Sequence, residues 1–273
     1  MKSKSIWENN NVFGDKELVK VYCLPLFKEG YRDKIKNAIA VIFDVFRAST
    51  TIIFALHSGF TFVVPVKDVK DGLRIAKKIN AITAGERGGK KIKEFHLSNS
   101  PYQVLKYGRL AKPLVLSSTN GTRIIKTLEK DNIIVVGSTV NAKAVAEYTY
   151  NLAIDTGKPI VLIAAGRLTG PIVMNAIEDM IGVAVTSNYL KKLGANLNRS
   201  CRKFQLYRLV GLIIHKVFSH TFTFNLVKKV SSTYIRDIIL TGLIDVTNIV
   251  PVFNNGIVKV EKIRKAMEKK RRS

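Results

Sequence analysis

Short apolar runs rich in β-branched residues recur along the chain, and after nearly every one a cluster of Gly, Ser, Thr, Asn or Arg precedes an amphipathic stretch. Apolar runs without alternation suit strands covered on both faces. Strand, polar loop, helix, strand in this rhythm predicts an α/β fold, a layered sheet with many parallel strands flanked by helices and arranged as one body or as two similar α/β halves. Strands are expected at 18–24, 38–43, 61–66, 81–83, 114–116, 133–136 and 160–163, and helices at 49–57, 69–79, 122–130 and 141–154. Beyond residue 172 helices dominate, at 175–193, 203–218 and 232–240. A short strand at 248–252, a hairpin turn at Asn254-Asn255-Gly256 and a charged last helix complete the reading. Residues 193–202 read as a linker. The organisation expected is a polar N-terminal extension (1–17), an α/β core with most site motifs (18–190), and a helical, basic part completing the fold (191–273).

Of the 273 residues 47% are hydrophobic, which supplies a core and excludes disordered, collagen-like and low-complexity classes. The opening MKSKSIWENNN lacks the apolar centre of a secretory signal, and no apolar run reaches the ~18 residues of a membrane span. A cytoplasmic protein with no membrane partner is expected. Cys23 and Cys201 lie far apart without a Cys or His at ligand spacing, so zinc fingers and disulfide frameworks are set aside in favour of a reducing compartment. The formal net charge is +25, and residues 191–273 hold 18 of the basic residues against 4 acidic ones. Such a surface binds nucleic acid through phosphate contacts, which makes a nucleic-acid-binding protein one alternative. No RNA-recognition aromatic pattern, helix-turn-helix or zinc-knuckle spacing accompanies the charge, so it reads as a solvated surface.

In a parallel α/β sheet ligands bind beyond the carboxyl ends of the strands. Five polar clusters fall there, at 44–51, 84–89, 117–123, 137–142 and 164–167. Arginine is scarce between Asn37 and Leu190, yet Arg47, Arg87, Arg123 and Arg167 all sit within these clusters. A guanidinium fork matches the oxygens of phosphate, carboxylate or sulfonate, so the four are expected to converge on a small polyanionic phospho-ligand. Asp44 ends a strand, Glu86 occupies a Gly-rich turn, and Glu178-Asp179 open a helix. Carboxylates beside an anionic ligand suit Mg²⁺, which bridges one or two of them to a phosphate. Ser49, Thr50 and Thr51, then Thr119, Asn120 and Thr122, open helices where an anion would dock. His96 is the one histidine within a polar cluster, a candidate for proton transfer. Dinucleotide, P-loop, zincin and serine-hydrolase motifs are absent.

These clusters, in this order, resemble the 2-phosphosulfolactate phosphatase family. The matching residues are Asp44 and Arg47 to Thr51; 84–89; Asn99-Ser100-Pro101; Thr119 to Arg123; Gly137-Ser138 with Asn141-Ala142; Ala165-Gly166-Arg167; and Glu178-Asp179. The resemblance runs from about residue 19 to 184, with a fainter echo at 231–251. His96 and Ser98 stand where the family commonly has Asp and Gly, and 190–230 departs from it. The resemblance implies a Mg²⁺-dependent phosphatase that converts 2-phospho-3-sulfolactate to 3-sulfolactate and phosphate, as on the route to coenzyme M. The catalytic set it implies is Asp44, Arg47, Glu86, Arg87, Arg123 and Arg167. Ser49, Thr50, Asn99, Ser100, Thr119, Asn120, Thr122, Ser138 and Asn141 would bind substrate, and Asp44, Glu178 and Asp179 the metal. A non-catalytic phospho-ligand binder is the second alternative, and a homo-oligomer stays open.

Overall fold

A computed structural model of the chain describes residues 18–169, 172–219 and 232–261. The expected extension at 1–17 and the charged last helix lie outside the described residues. In chain order the strands are β1 (Lys20–Leu24), β2 (Ile39–Phe43), β3 (Val63–Val66), β4 (Ile82–Arg87), β5 (Lys90–Lys91), β6 (Leu114–Ser117), β7 (Ile133–Gly137), β8 (Ile160–Ala164), β9 (Arg167–Thr169), β10 (Ile172–Met174), β11 (Asn196–Leu197), β12 (Pro251–Asn254) and β13 (Ile257–Val260). The helices are α1 (Ala48–Ser58), α2 (Val69–Ile79), α3 (Pro101–Tyr107), α4 (Gly121–Leu128), α5 (Ala142–Thr156), α6 (Ile177–Lys192), α7 (Gln205–Ser219) and α8 (Thr233–Thr241).

Eleven strands form one sheet in the order β11-β1-β8-β2-β7-β12-β13-β3-β6-β4-β5. Parallel pairing joins β11, β1, β8, β2 and β7 into one block and β3, β6 and β4 into another. The hairpin β12–β13 stands between them and is antiparallel to both. Three successive antiparallel steps leave the two blocks running in opposite directions. Neighbouring strands of a sheet are rotated by about 20–25°, and five such steps separate β2 from β6.

The central strands show why their sequences do not alternate. In β2, Ala40 and Ile42 enter the core on one face of the sheet, whereas Ile39, Val41 and Phe43 enter the core on the other. In β8, Val161 and Ile163 divide from Ile160, Leu162 and Ala164 in the same way. Each large side chain so buried contributes about 1.5–3 kcal/mol. Local signals agree at several ends. Asp68 caps α2 through the Lys70 and Asp71 amides, and Asn255 and Gly256, both at positive φ, make the tight turn of the β12–β13 hairpin.

Other expectations need correction. β12 starts three residues later than the expected strand at 248–252, and β4 runs on to Arg87. Helix α3 is an addition: Ser100 caps it by accepting from the Gln103 amide, with Pro101 in its first turn. The antiparallel pair β9–β10 follows Arg167. Residues 193–202 are no linker, since they contribute β11 at the sheet edge and enter a 3-10 helix, Arg199–Phe204.

That 3-10 helix carries a second correction. Cys201 forms a disulfide with Cys23 on β1, their Cα atoms 4.9 Å apart, and no free cysteine is left. Distance along the chain is a poor guide to pairing, because parallel β1 and β11 bring the two segments side by side. Both cysteines are wholly buried. No helix among the described residues is long and apolar enough to cross a membrane.

A cross-link between residues 178 apart restricts the unfolded chain; the chain-entropy account gives about 5 kcal/mol for such a loop, and removing a native disulfide commonly costs about 2–5 kcal/mol. We expect Cys201→Ser to lower the urea midpoint accordingly, and peptide mapping without reductant to recover a Cys23–Cys201 cross-linked fragment. Free thiols at both positions in the native, unreduced protein would contradict the pairing.

Candidate active site

The loops after β2, β4, β6 and β8 meet in one cleft of about 500 Å³. Buried carboxylates hold them together by accepting backbone N–H groups. Asp44, at the end of β2, accepts from Gly121 at the start of α4, 2.7 Å. Glu86 accepts from Thr119 at 2.7 Å and from Gly89 at 2.8 Å. Asp179, in the first turn of α6, accepts from Val45 at 2.7 Å and Gly166 at 3.0 Å, joining the loops after β2 and β8. Gly121 allows the Asp44 bond because a Cβ there would lie 2.8 Å from the Asp44 carboxylate.

Nine of the expected site residues line this cleft: Asp44, Arg47, Glu86, Asn99, Thr119, Asn120, Arg167, Glu178 and Asp179. Phe46, Gly88, Gly89 and Gly166, which fall inside the polar clusters without having been singled out as site residues, line it too, as do Ala176 and Tyr234, which lie outside every cluster. The four arginines do not converge. Arg47 and Arg167 reach the cleft, but Arg87 and Arg123 are outside its lining. Arg87 turns back on the strand ends, donating to the Glu86 carbonyl, the Lys67 carbonyl and Ser117 Oγ. Arg123 is half-buried on α4.

Most of the expected hydroxyls are also used within the fold. Ser49 Oγ accepts from the Asp44 amide and donates to the Ile42 carbonyl. Thr50 Oγ1 donates to the Val45 carbonyl and pairs with Ser138 Oγ. Ser100 caps α3 and donates to Asp237. Thr122 donates to the Ser118 carbonyl, and Asn141 links Ser138 to Ile249. All six are buried outside the cleft lining, so capping and loop closure explain them. His96 is exposed and also lies outside it, its Nδ1 accepting from the Thr83 amide.

Two observations bear on ligands. First, among the described residues the cleft is lined by four carboxylates, Asp44, Glu86, Glu178 and Asp179, against two guanidinium groups. Arg167 is moreover paired with Glu178 at 3.1 Å. Burial pushes the Asp44 carboxyl up to about 6; the Gly121 amide opposes this, and the Glu86 and Glu178 charges add to it. Burial, then the Asp44 charge, push Asp179 well above the usual carboxylate range. Second, three buried oxygens that belong to lining residues, Asn99 Oδ1, Thr119 Oγ1 and Asn120 Oδ1, have no hydrogen-bond partner among the described residues. An all-oxygen donor set with surplus negative charge fits a hard divalent cation such as Mg²⁺. No three His, Cys, Asp or Glu side chains are arranged to cage one among the described residues. The fit is therefore to a cation held by one or two carboxylates and completed by a ligand phosphate and water.

A family model described as 2-phosphosulpholactate phosphatase matches residues 26–256. Curated relatives named "Probable 2-phosphosulfolactate phosphatase" include one from Carboxydothermus hydrogenoformans, 44% identical over 142 residues, which cover 50% of this chain and 56% of the relative. One from Caldicellulosiruptor saccharolyticus is 36% identical over 154 residues, 54% of this chain and 62% of the relative. One from Thermotoga maritima is 32% identical over 220 residues, 80% of this chain and 90% of the relative. The chain thus spans less than two thirds of the first two relatives and nearly the whole of the third.

The raised Asp44 carboxyl fixes the sign of a pH effect. Its folded value near 6 exceeds the ~3.9 of an unfolded aspartate, so its stabilising contribution is full below about pH 4 and is lost as pH rises through 6. In metal-free protein we expect Asp44→Asn to raise stability by about 1–2 kcal/mol at pH 7 and by much less at pH 4. Urea melts at the two pH values in the presence of a chelator measure this. A variant destabilised equally at both would show that Asp44 is not held against its charge.

Proposed function

The chain belongs to the 2-phosphosulfolactate phosphatase family, and on that footing we propose that it is a phosphoric monoester hydrolase converting 2-phospho-3-sulfolactate to 3-sulfolactate and phosphate with Mg²⁺ as cofactor. The observation that carries this reading is the cleft's charge: four carboxylates and two arginines around unpartnered oxygens. A polyanion does not dock on surplus carboxylates by itself, but it does when a divalent cation lies between them.

Asp44, with Glu178 or Asp179, would hold the cation, whose contribution is to neutralise phosphoryl charge and favour departure of the ester oxygen. Arg47 and Arg167 present planar forks to the carboxylate, sulfonate or phosphate oxygens of the substrate. Thr119 and the Asn99 and Asn120 side chains offer polar atoms for the groups the arginines leave. Over the whole reaction the bond from phosphorus to the C2 oxygen breaks, that oxygen leaves with a proton, and a water oxygen ends bonded to phosphorus, either by direct attack or by hydrolysis of a phosphate first carried on Asp44. Positioning and charge stabilisation carry most of such a transfer.

The proposal includes a cytoplasmic setting and a place on the route to coenzyme M. The buried disulfide is compatible with that setting, because exchange requires a thiolate to reach a sulfur, and neither Cys23 nor Cys201 is accessible.

Phosphate release from a panel of sulfonated and plain phosphocarboxylates, with and without Mg²⁺, tests the reading. We expect 2-phospho-3-sulfolactate to be preferred and chelation to stop turnover; release from none of the panel would overturn the assignment. Asp44→Asn should lower kcat roughly a thousandfold while the protein stays folded. Acid quenching during turnover then separates its two roles: phosphate trapped on Asp44 assigns it the attack on phosphorus, and no trapped phosphate leaves the attack to water. Arg47→Lys should cost about 1.5–3 kcal/mol in kcat/KM.

A further inference from the structure

The Arg47 guanidinium is fixed at the cleft by a residue that belongs to none of the polar clusters. Arg47 Nη1 donates to Asp237 Oδ2 at 3.2 Å, and Nη2 to the Gly89 carbonyl at 3.3 Å. The guanidinium also lies 5.2 Å from the centre of the Phe46 ring and 6.0 Å from that of Tyr234. Asp237 sits on α8 and its side chain has no solvent exposure. Its other oxygen, Oδ1, accepts from Ser100 Oγ at 2.7 Å and from the Tyr102 amide at 3.1 Å, both at the start of α3.

The two carboxylate oxygens thus do different work. Oδ1 fastens the group to the amino end of α3, and Oδ2 is left to fix the rotamer of a long side chain 190 residues earlier in the chain. An arginine whose side chain is only 11% exposed needs such a partner, since a nearly buried charge without one is strongly unfavourable. Nη1 and Nη2 each spend one bond on the protein, and among the described residues the guanidinium has no further hydrogen-bond partner, so N–H groups remain for an anion docked in the cleft that Arg47 lines.

We propose that Asp237 is a positioning residue for hydrolysis at this cleft: through Oδ2 it holds the Arg47 guanidinium where the anionic groups of the substrate dock. The inference rests on the phosphatase reading for its kinetic consequence, while the anchoring itself can be read without turnover.

Asp237→Asn is the informative variant. An amide oxygen can still accept from Ser100 and Tyr102, but the amide NH₂ would face the Arg47 N–H as donor against donor. We expect kcat/KM to fall about 10- to 100-fold, because a misplaced charged contact costs on that order. In the Arg47→Lys background the same substitution should change kcat/KM less than about threefold, the non-additivity expected of residues acting as one unit. Equal losses in both backgrounds, or none in the wild-type background, would overturn the proposal. If Asp237→Asn does not fold, Asp237→Glu keeps the charge but displaces it by a methylene, and the same comparison of backgrounds decides. A second readout uses the substrate-free full chain: the Nη signals of Arg47, assigned by their disappearance in Arg47→Lys, should be resolved in the wild type and averaged in Asp237→Asn. Averaging without any phosphatase activity in the wild type would defeat the reading of the reaction and leave the anchoring standing. Turnover with kinetics and signals unchanged in Asp237→Asn would defeat the anchoring alone.

Discussion

Backbone amides from loops far apart in the chain donate to carboxylates buried at strand ends and in the first turn of α6, and these bonds tie the walls of the cleft together. Asp44 takes the first amide of α4, Glu86 the amides of Gly89 and Thr119, and Asp179 those of Val45 and Gly166. A hydrogen bond to a charged group contributes about 1.5–3 kcal/mol, and an amide left unpaired in the same place costs a comparable amount. The arrangement is self-consistent but strained electrostatically, since the carboxylates that tie the loops together also repel one another, and burial raises Asp44 and Asp179. A cation of the kind proposed would relieve that residual cost.

The chain as a whole carries +25, yet the cleft has more carboxylates than guanidinium groups. The two facts are reconciled by where the positive charge lies. Among the described residues only Arg47 and Arg167 reach the lining with a guanidinium, and Arg87 is spent on the carbonyls and hydroxyl behind it. Net charge therefore says little about this site, and the chemistry follows from the local balance of a few side chains.

Legibility in the sequence differed between elements for physical reasons. The central strands were readable because β2 and β8 are covered on both faces, and unbroken apolar runs have few other uses. The cleft residues at strand ends, Asp44, Arg47 and Glu86 among them, were readable because a parallel sheet puts its loops there. Ser49, Thr50, Ser138 and Asn141 stand in the same clusters, and nothing local separates a hydroxyl that caps a loop from one that faces a ligand. Asp237 and Tyr234 were illegible for the opposite reason: they come from an unremarkable amphipathic helix, and only their contacts with Arg47 give them significance.

Apolar patterning and turn chemistry act over a few residues, so the class of fold and the loops that gather at one cleft were legible along the chain. Three things depend instead on how distant parts of the chain meet: that Cys23 pairs with Cys201, that Arg87 and Arg123 lie outside the cleft lining, and that α8 supplies the partner of Arg47. Each of these depends on a pairing across more than a hundred residues or on the direction of a side chain. Strand order and sheet twist set such pairings, and no spacing along the chain encodes them.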